Sequence, residues 1–186
     1  ELVALGVGRP ASTPIYYRVS AARLTTADEI EAVGDNSSGE VEFVLVRSDD
    51  GLWIGVGSDH TDRTVESYNV TVSKQMRDKP IAPELWSFED VRDHWDSLTL
   101  RSWIEEDGEP RLYQEGSVAS ILSPDRIISG ITTNGNLADG TVLFCGTLPA
   151  KGGIRPSRKF TFELFDPVRN ARISHTYTVD TLQSAG

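Results

Sequence analysis

The chain has 186 residues, a net charge of −10 and a single cysteine, in a composition ordinary for a globular protein. That length suits one domain, or one domain with an arm, and allows a sizeable core. The acidic balance disfavours nucleic acid and anionic membrane as partners, since both attract basic patches, and a lone Cys145 excludes an internal disulfide and a cysteine-based zinc site. No apolar run reaches bilayer-spanning length and no signal peptide is visible, so a reducing cytoplasm is the expected compartment.

Residues 1–14 (ELVALGVGRPASTP) read as an N-terminal arm, a helix end stopped by Gly6 and Gly8 and shortened at Glu1, where no Met stands. PIYYRVS is expected to be a strand. TTADEIEAV fits either a short helix capped by Thr25 or Thr26 or a strand near Ile30 to Val33, and 34–39 (GDNSSG) is a loop by composition. Val41 to Val46 and Leu52 to Val56 are strands joined at Ser48-Asp49-Asp50-Gly51, the first apolar on both faces and therefore interior. Val65 to Val72 is expected to be strand-like, with Tyr68, Val70 and Val72 on one face.

Pro80 and Pro83 force an extended lead-in to a helix capped by Ser87, with Asp90 at its third position and an apolar stripe of Phe88, Val91 and Trp95. Leu98 to Glu105 and Glu109 to Gln114 form a hairpin around Glu106-Asp107-Gly108. Val118 to Leu122 and Pro124 to Ile131 are short helices, the second with Pro in its first turn. Thr141 to Cys145 is a buried strand running into GTLPAKGG, and Phe160 to Phe165 pairs with Arg172 to Val179. Many strands with few helices give an α+β, mainly β domain rather than a doubly wound sheet.

Glu40 and Glu42 alternate at the head of a strand, so they project one way about 7 Å apart and repel unless screened. Asp59 follows a hairpin that returns the chain to the start of that strand. Three converging oxygens suit a hard divalent ion such as Mg²⁺ or Mn²⁺. The local pattern alone favours the plainer reading, solvated residues at a strand start.

In order, EVEFVLV, SDHTDR, KQMRDKPIAPELW and LADGTVLFCGTLPAKGG resemble the catalytic domain of the fumarylacetoacetate hydrolase superfamily, as a member of an uncharacterised bacterial branch. PIYYRVSAARL and RSWIEEDGEPRLYQEGSVASILSPDRIISGI resemble its flanking segments, and the likeness spans Pro14 to Tyr177. It implies a single domain over 15–186 with a mixed β-roll or sandwich, assembled as a homodimer. Glu40, Glu42 and Asp59 would be the metal ligands. Arg63 would grip a carboxylate or brace Asp59, and Lys74, favoured over Lys79, would place charge beside a developing oxyanion. The hydroxyl of Thr147 and the backbone at Gly146 would hold a substrate carboxylate. The implied activity is C–C hydrolysis, decarboxylation or hydration and isomerisation of a small 2-oxo or 1,3-dicarbonyl acid through a metal-bound enolate. The alternative is a binding protein for metal and 2-oxo acid without turnover.

The chain departs from the family pattern in two places. No histidine precedes His60 in this sequence, so a counterpart of the family's water-activating His–Glu pair would have to come from a missing N-terminal segment. GTLPAKGG inserts Leu148 and puts Lys151 where glycine is usual, so Lys151 is expected to meet an acidic substrate. His60 is a candidate for catalysis, although packing is the commoner fate of such a residue. His175 is a weaker candidate, His94 is expected at the surface, and Cys145 is expected to be a buried filler. GTLPAKGG lacks the ending of a phosphate-binding loop, which argues against a nucleotide.

Overall fold

The computed structural model describes residues 14–183, so the helix end expected near Gly6 and Gly8 lies outside the described residues. Residues 14–20 are not the expected strand. They have no ladder partner among the described residues and are tied by individual bonds instead: the Tyr16 hydroxyl donates to the Ile127 carbonyl at 2.8 Å, and the Ser20 N–H donates to Gln75 Oε1 at 2.9 Å. A 3₁₀ turn at Ala21–Arg23 leads to β1 (Leu24–Thr25) and β2 (Glu29–Val33). In β2, Ile30 and Ala32 alternate inward, which resolves TTADEIEAV as a strand. The GDNSSG loop contributes a short β3 (Ser37–Ser38).

The central hairpin is β4 (Val41–Ser48) and β5 (Gly51–Ser58), with β6 (Thr61–Asp62) after it. The expected strand over Val65 to Val72 is instead two short helices, α1 (Arg63–Glu66) and α2 (Val70–Met76). Capping overrides the β-branched pattern there. The Asp62 carboxylate accepts from the Val65 N–H at 2.9 Å and Asn69 Oδ1 accepts from the Val72 N–H at 3.0 Å. After β7 (Lys79–Pro80) and β8 (Trp86–Ser87), the expected α-helix is two 3₁₀ turns, Phe88–Asp90 and Arg92–Ser97. Ser87 makes no side-chain cap bond, and His94 leaves helical dihedrals (φ −128°, ψ 26°) to reach Asp166. The expected apolar stripe is nonetheless buried, with Trp95 edge-on to Phe43 and Phe88.

β9 (Thr99–Glu106) and β10 (Glu109–Ser117) form the expected hairpin, its turn made by Asp107 and Gly108 with φ of 54° and 79°. A 3₁₀ turn at Val118–Ser120 and α3 (Pro124–Ile131) precede β11 (Val142–Thr147). β12 (Lys159–Asp166) and β13 (Ala171–Leu182) close the fold. One sheet runs β10-β9-β12-β13-β2, with β2 parallel to β13; the other runs β11-β4-β5-β8. Their facing side chains, among them Phe43, Leu45, Ile54, Leu100, Phe162 and Tyr177, share one core. β4 is interior as expected, and the domain is mainly β with few short helices.

Candidate metal centre

The β4–β5 hairpin builds the site. Val41 stands opposite Ser58 and Glu42 opposite Gly57, and the Asp59 N–H donates to the Glu40 carbonyl at 3.0 Å. The start of one strand and the end of the other therefore meet. One carboxylate oxygen from each of Glu40, Glu42 and Asp59 lies within 4.8 Å of the others. Gly57, opposite Glu42, admits the neighbouring β7 backbone and the Phe144 ring, since a Cβ there would come 2.8 Å from the Pro80 carbonyl and 2.7 Å from that ring.

Cations from α1, α2 and β7 surround the three acids. Lys74 Nζ is 2.6 Å from Asp59 Oδ2 and 3.0 Å from Glu40 Oε2. Arg63 reaches Glu40 at 3.0 Å, Glu66 at 2.7 Å and the Ser38 hydroxyl at 2.7 Å. Lys79 Nζ donates to the carbonyls of His60 (2.7 Å) and Arg77 (3.0 Å). It lies 3.2 Å from Asp59 Oδ1 without bonding it, which leaves that oxygen buried with no hydrogen-bond partner among the described residues. The Gly146 N–H donates to Glu42 Oε2 at 2.7 Å.

The ionisation states follow from these contacts. Burial, with the charges of Asp59 and Glu40 adding to it, pushes Glu42 up to about 8. Burial acts on Glu40 in the same direction, but Lys74 and Arg63 outweigh it and hold Glu40 at about 2. Burial disfavours the Lys74 ammonium, yet the Glu40 and Asp59 carboxylates more than reverse this and raise its pKa. For Lys79 burial wins and its pKa is lowered.

A divalent cation fits this donor set. Glu40, Glu42 and Asp59 would hold it, each offering a carboxylate oxygen to the same point, and hard divalent ions prefer oxygen ligands. A cation would also supply a ligand bond to the Asp59 oxygen that accepts no hydrogen bond, and would offset the burial and carboxylate repulsion that raise the Glu42 pKa.

The other expected site residues divide. His60 is fully buried, with Nδ1 2.8 Å from the Tyr177 hydroxyl and Nε2 2.9 Å from the Ser37 hydroxyl. Burial and the neighbouring Lys79 lower its pKa to about 3, so it packs as a neutral ring with both nitrogens taken. Arg63 braces Glu40 rather than Asp59. Gly146 lies against the cluster through its amide, while the Thr147 hydroxyl spends its proton on the Val41 carbonyl at 2.7 Å. Lys151 is exposed and lies 3.4 Å from Glu115, away from the three acids. His94 is partly exposed but bonded to Asp166, His175 is bonded to the Ala27 carbonyl, and Cys145 is buried.

Two participants escape sequence reasoning. Glu66 pairs with Arg63 across one helical turn, a relation hidden when the segment is read with strand period. Gln114 is 2% exposed and bonds Val41, Ser102, Thr147 and Leu148; Val41 is 73 residues away and Thr147 is 33. No local signal links such positions.

The fold is shared with solved enzymes. A structure of 2-keto-3-deoxy-D-arabinonate dehydratase complexed with magnesium and 2,5-dioxopentanoate is 17% identical, with a TM-score of 0.62 over 89% of this chain and 62% of that one. A hexagonal crystal form of 2-keto-3-deoxyarabinonate dehydratase gives 19%, 0.60, 87% and 58% for the same quantities. Cg1458 gives 19%, 0.58, 84% and 64%. The chain thus spans less than two thirds of the length of these structures, and identities this low establish likeness of fold. No curated protein matches the sequence. A family model described as "Protein of unknown function (DUF2848)" matches residues 1–177, and the chain belongs to that family.

Proposed function

We propose that this protein is a Mg²⁺- or Mn²⁺-dependent enzyme acting on a small 2-oxo or 1,3-dicarbonyl acid. The observation that carries the reading is the convergence of Glu40, Glu42 and Asp59, with one buried Asp59 oxygen that accepts no hydrogen bond among the described residues and has only the Lys79 ammonium 3.2 Å away. Glu40, Glu42 and Asp59 would hold the ion. When bound, it supplies a Lewis acid that stabilises charge developing on a substrate carbonyl oxygen. Lys74, kept protonated by its two carboxylate neighbours, contributes fixed positive charge and is a poor base. Lys79, whose ammonium is disfavoured by burial, is the better suited of the two to transfer a proton.

The structural neighbour crystallised with magnesium and 2,5-dioxopentanoate is a dehydratase. Together with the enclosed His60, that favours lyase chemistry over hydrolysis for this chain. A homodimer belongs to the same proposal, supported by the exposed side chains of Val72 and Met76, four residues apart on α2, and of Tyr68 in the turn before it. Light scattering at micromolar concentration checks it.

The test is calorimetric titration of Mn²⁺ into metal-stripped protein, beside the Glu40→Ala/Glu42→Ala double variant. Micromolar binding that vanishes in the variant is expected, and no binding by the intact protein would sink the reading. Acylpyruvates and oxaloacetate should then disappear with Mn²⁺ and persist in EDTA. Tight metal and acid binding without turnover would instead support the binding-protein alternative.

A further inference from the structure

The regular pairing of β11 with β4 ends at Phe144 opposite Val44 and resumes at Thr147 opposite Glu42. Cys145 and Gly146 occupy the irregular stretch, with Gly146 at φ 99°, a conformation that favours glycine. At Val41, between the two glutamates, side chains take over the role of the ladder. The Val41 N–H donates to Gln114 Oε1 at 3.0 Å, Gln114 Nε2 donates to Thr147 Oγ1 at 2.8 Å, and Thr147 Oγ1 donates to the Val41 carbonyl at 2.7 Å. The ring is closed, and it binds one group of the peptide before Val41 and one of the peptide after it. Those are the two peptide units that separate Glu40 from Glu42. Gln114 is itself anchored by Ser102 Oγ (2.9 Å) and the Leu148 carbonyl (2.6 Å), so its amide has little freedom to turn.

We propose that Gln114 and Thr147 are positioning residues of the metal centre, clamping both peptide units between Glu40 and Glu42 so that the two carboxylates face one point. Glu42 is held a second time, by the Gly146 N–H from the same bulge. The inference rests on the proposed metal function. It assigns the Thr147 hydroxyl to the scaffold rather than to substrate, because its proton is already committed to Val41.

The test is Mn²⁺ calorimetry at 25 °C on folded protein, with thermal melts alongside. Thr147→Val keeps the shape of the side chain and removes the bond to Val41. It should weaken Mn²⁺ binding about 10- to 100-fold, while Thr147→Ser, which retains the hydroxyl, should restore it. Gln114→Leu should weaken binding similarly, and the double variant should be little worse than either single one, because both break the same ring. Ile173→Val, a mild core truncation in β13, should lower the melting temperature and leave Mn²⁺ affinity unchanged. If Thr147→Val and Gln114→Leu melt earlier yet bind Mn²⁺ as the wild type does, the clamp is merely structural and the inference fails. Should Gln114→Leu not fold, the Thr147 pair decides alone. Absence of binding by the wild type would overturn the metal reading and this inference together, an outcome distinct from unchanged binding in the variants.

Discussion

Asp166 closes β12 with its side chain fully enclosed. It accepts from His94 Nε2–H at 2.9 Å and from the N–H groups of Val168 and Arg169 at 2.9 and 3.1 Å. Burial alone would raise its pKa, but these donors outweigh it and hold the carboxyl below its ordinary value. Its stabilising effect is therefore complete above the unfolded carboxyl pKa of about 3.9 and is lost as the pH falls towards the lower folded value. Asp166→Asn should cost about 1–2 kcal/mol at pH 7. The gap in melting temperature between variant and wild type should narrow below about pH 4; a gap independent of pH would assign the effect to packing instead. The sequence offered only a His94 expected at the surface, with nothing to join it to Asp166 across 72 residues.

At the level of elements, α1 and α2 depend on Asp62. Its carboxylate caps α1 and also pairs with Arg77, which is 3% exposed and donates to the Val33 carbonyl at 2.6 Å as well. Removing the acid would strand a buried guanidinium whose Nε already lacks a partner among the described residues. Asp62→Ala should therefore destabilise by about 3–5 kcal/mol, read from the midpoint of urea unfolding. A loss below about 1 kcal/mol, typical of an exposed pair, would contradict the burial. These helices carry Lys74 and Arg63 to the carboxylates, yet their segment reads as strand because Val65, Val70 and Val72 are β-branched. The caps at Asp62 and Asn69 were visible as residue types but not as caps, since each also suits a turn. Hairpins were easier to read: Ser48–Gly51 and Glu106–Gly108 fall between apolar runs, and there turn chemistry and strand period agree.

At the scale of the whole molecule, ligand binding to the folded state alone raises stability by mass action. With Mn²⁺ at about 100 times its dissociation constant the gain is about 2.7 kcal/mol. For a chain of this size that corresponds to a rise in melting temperature of roughly 5–10 °C. EDTA should abolish the rise, and the Glu40→Ala/Glu42→Ala variant should never show it. By itself the sequence determined the mainly β class, the central hairpin, and three acids whose spacing a hairpin could bring together. Those properties depend on local period and turn chemistry, which act over a few residues. Tertiary structure alone decided that Arg63 braces Glu40, that His60 is locked between Tyr177 and Ser37, and that Gln114 and Thr147 hold Val41. Each of those outcomes depends on which distant strand supplies a partner for a buried polar group, and such a group binds whatever packing brings within about 3 Å.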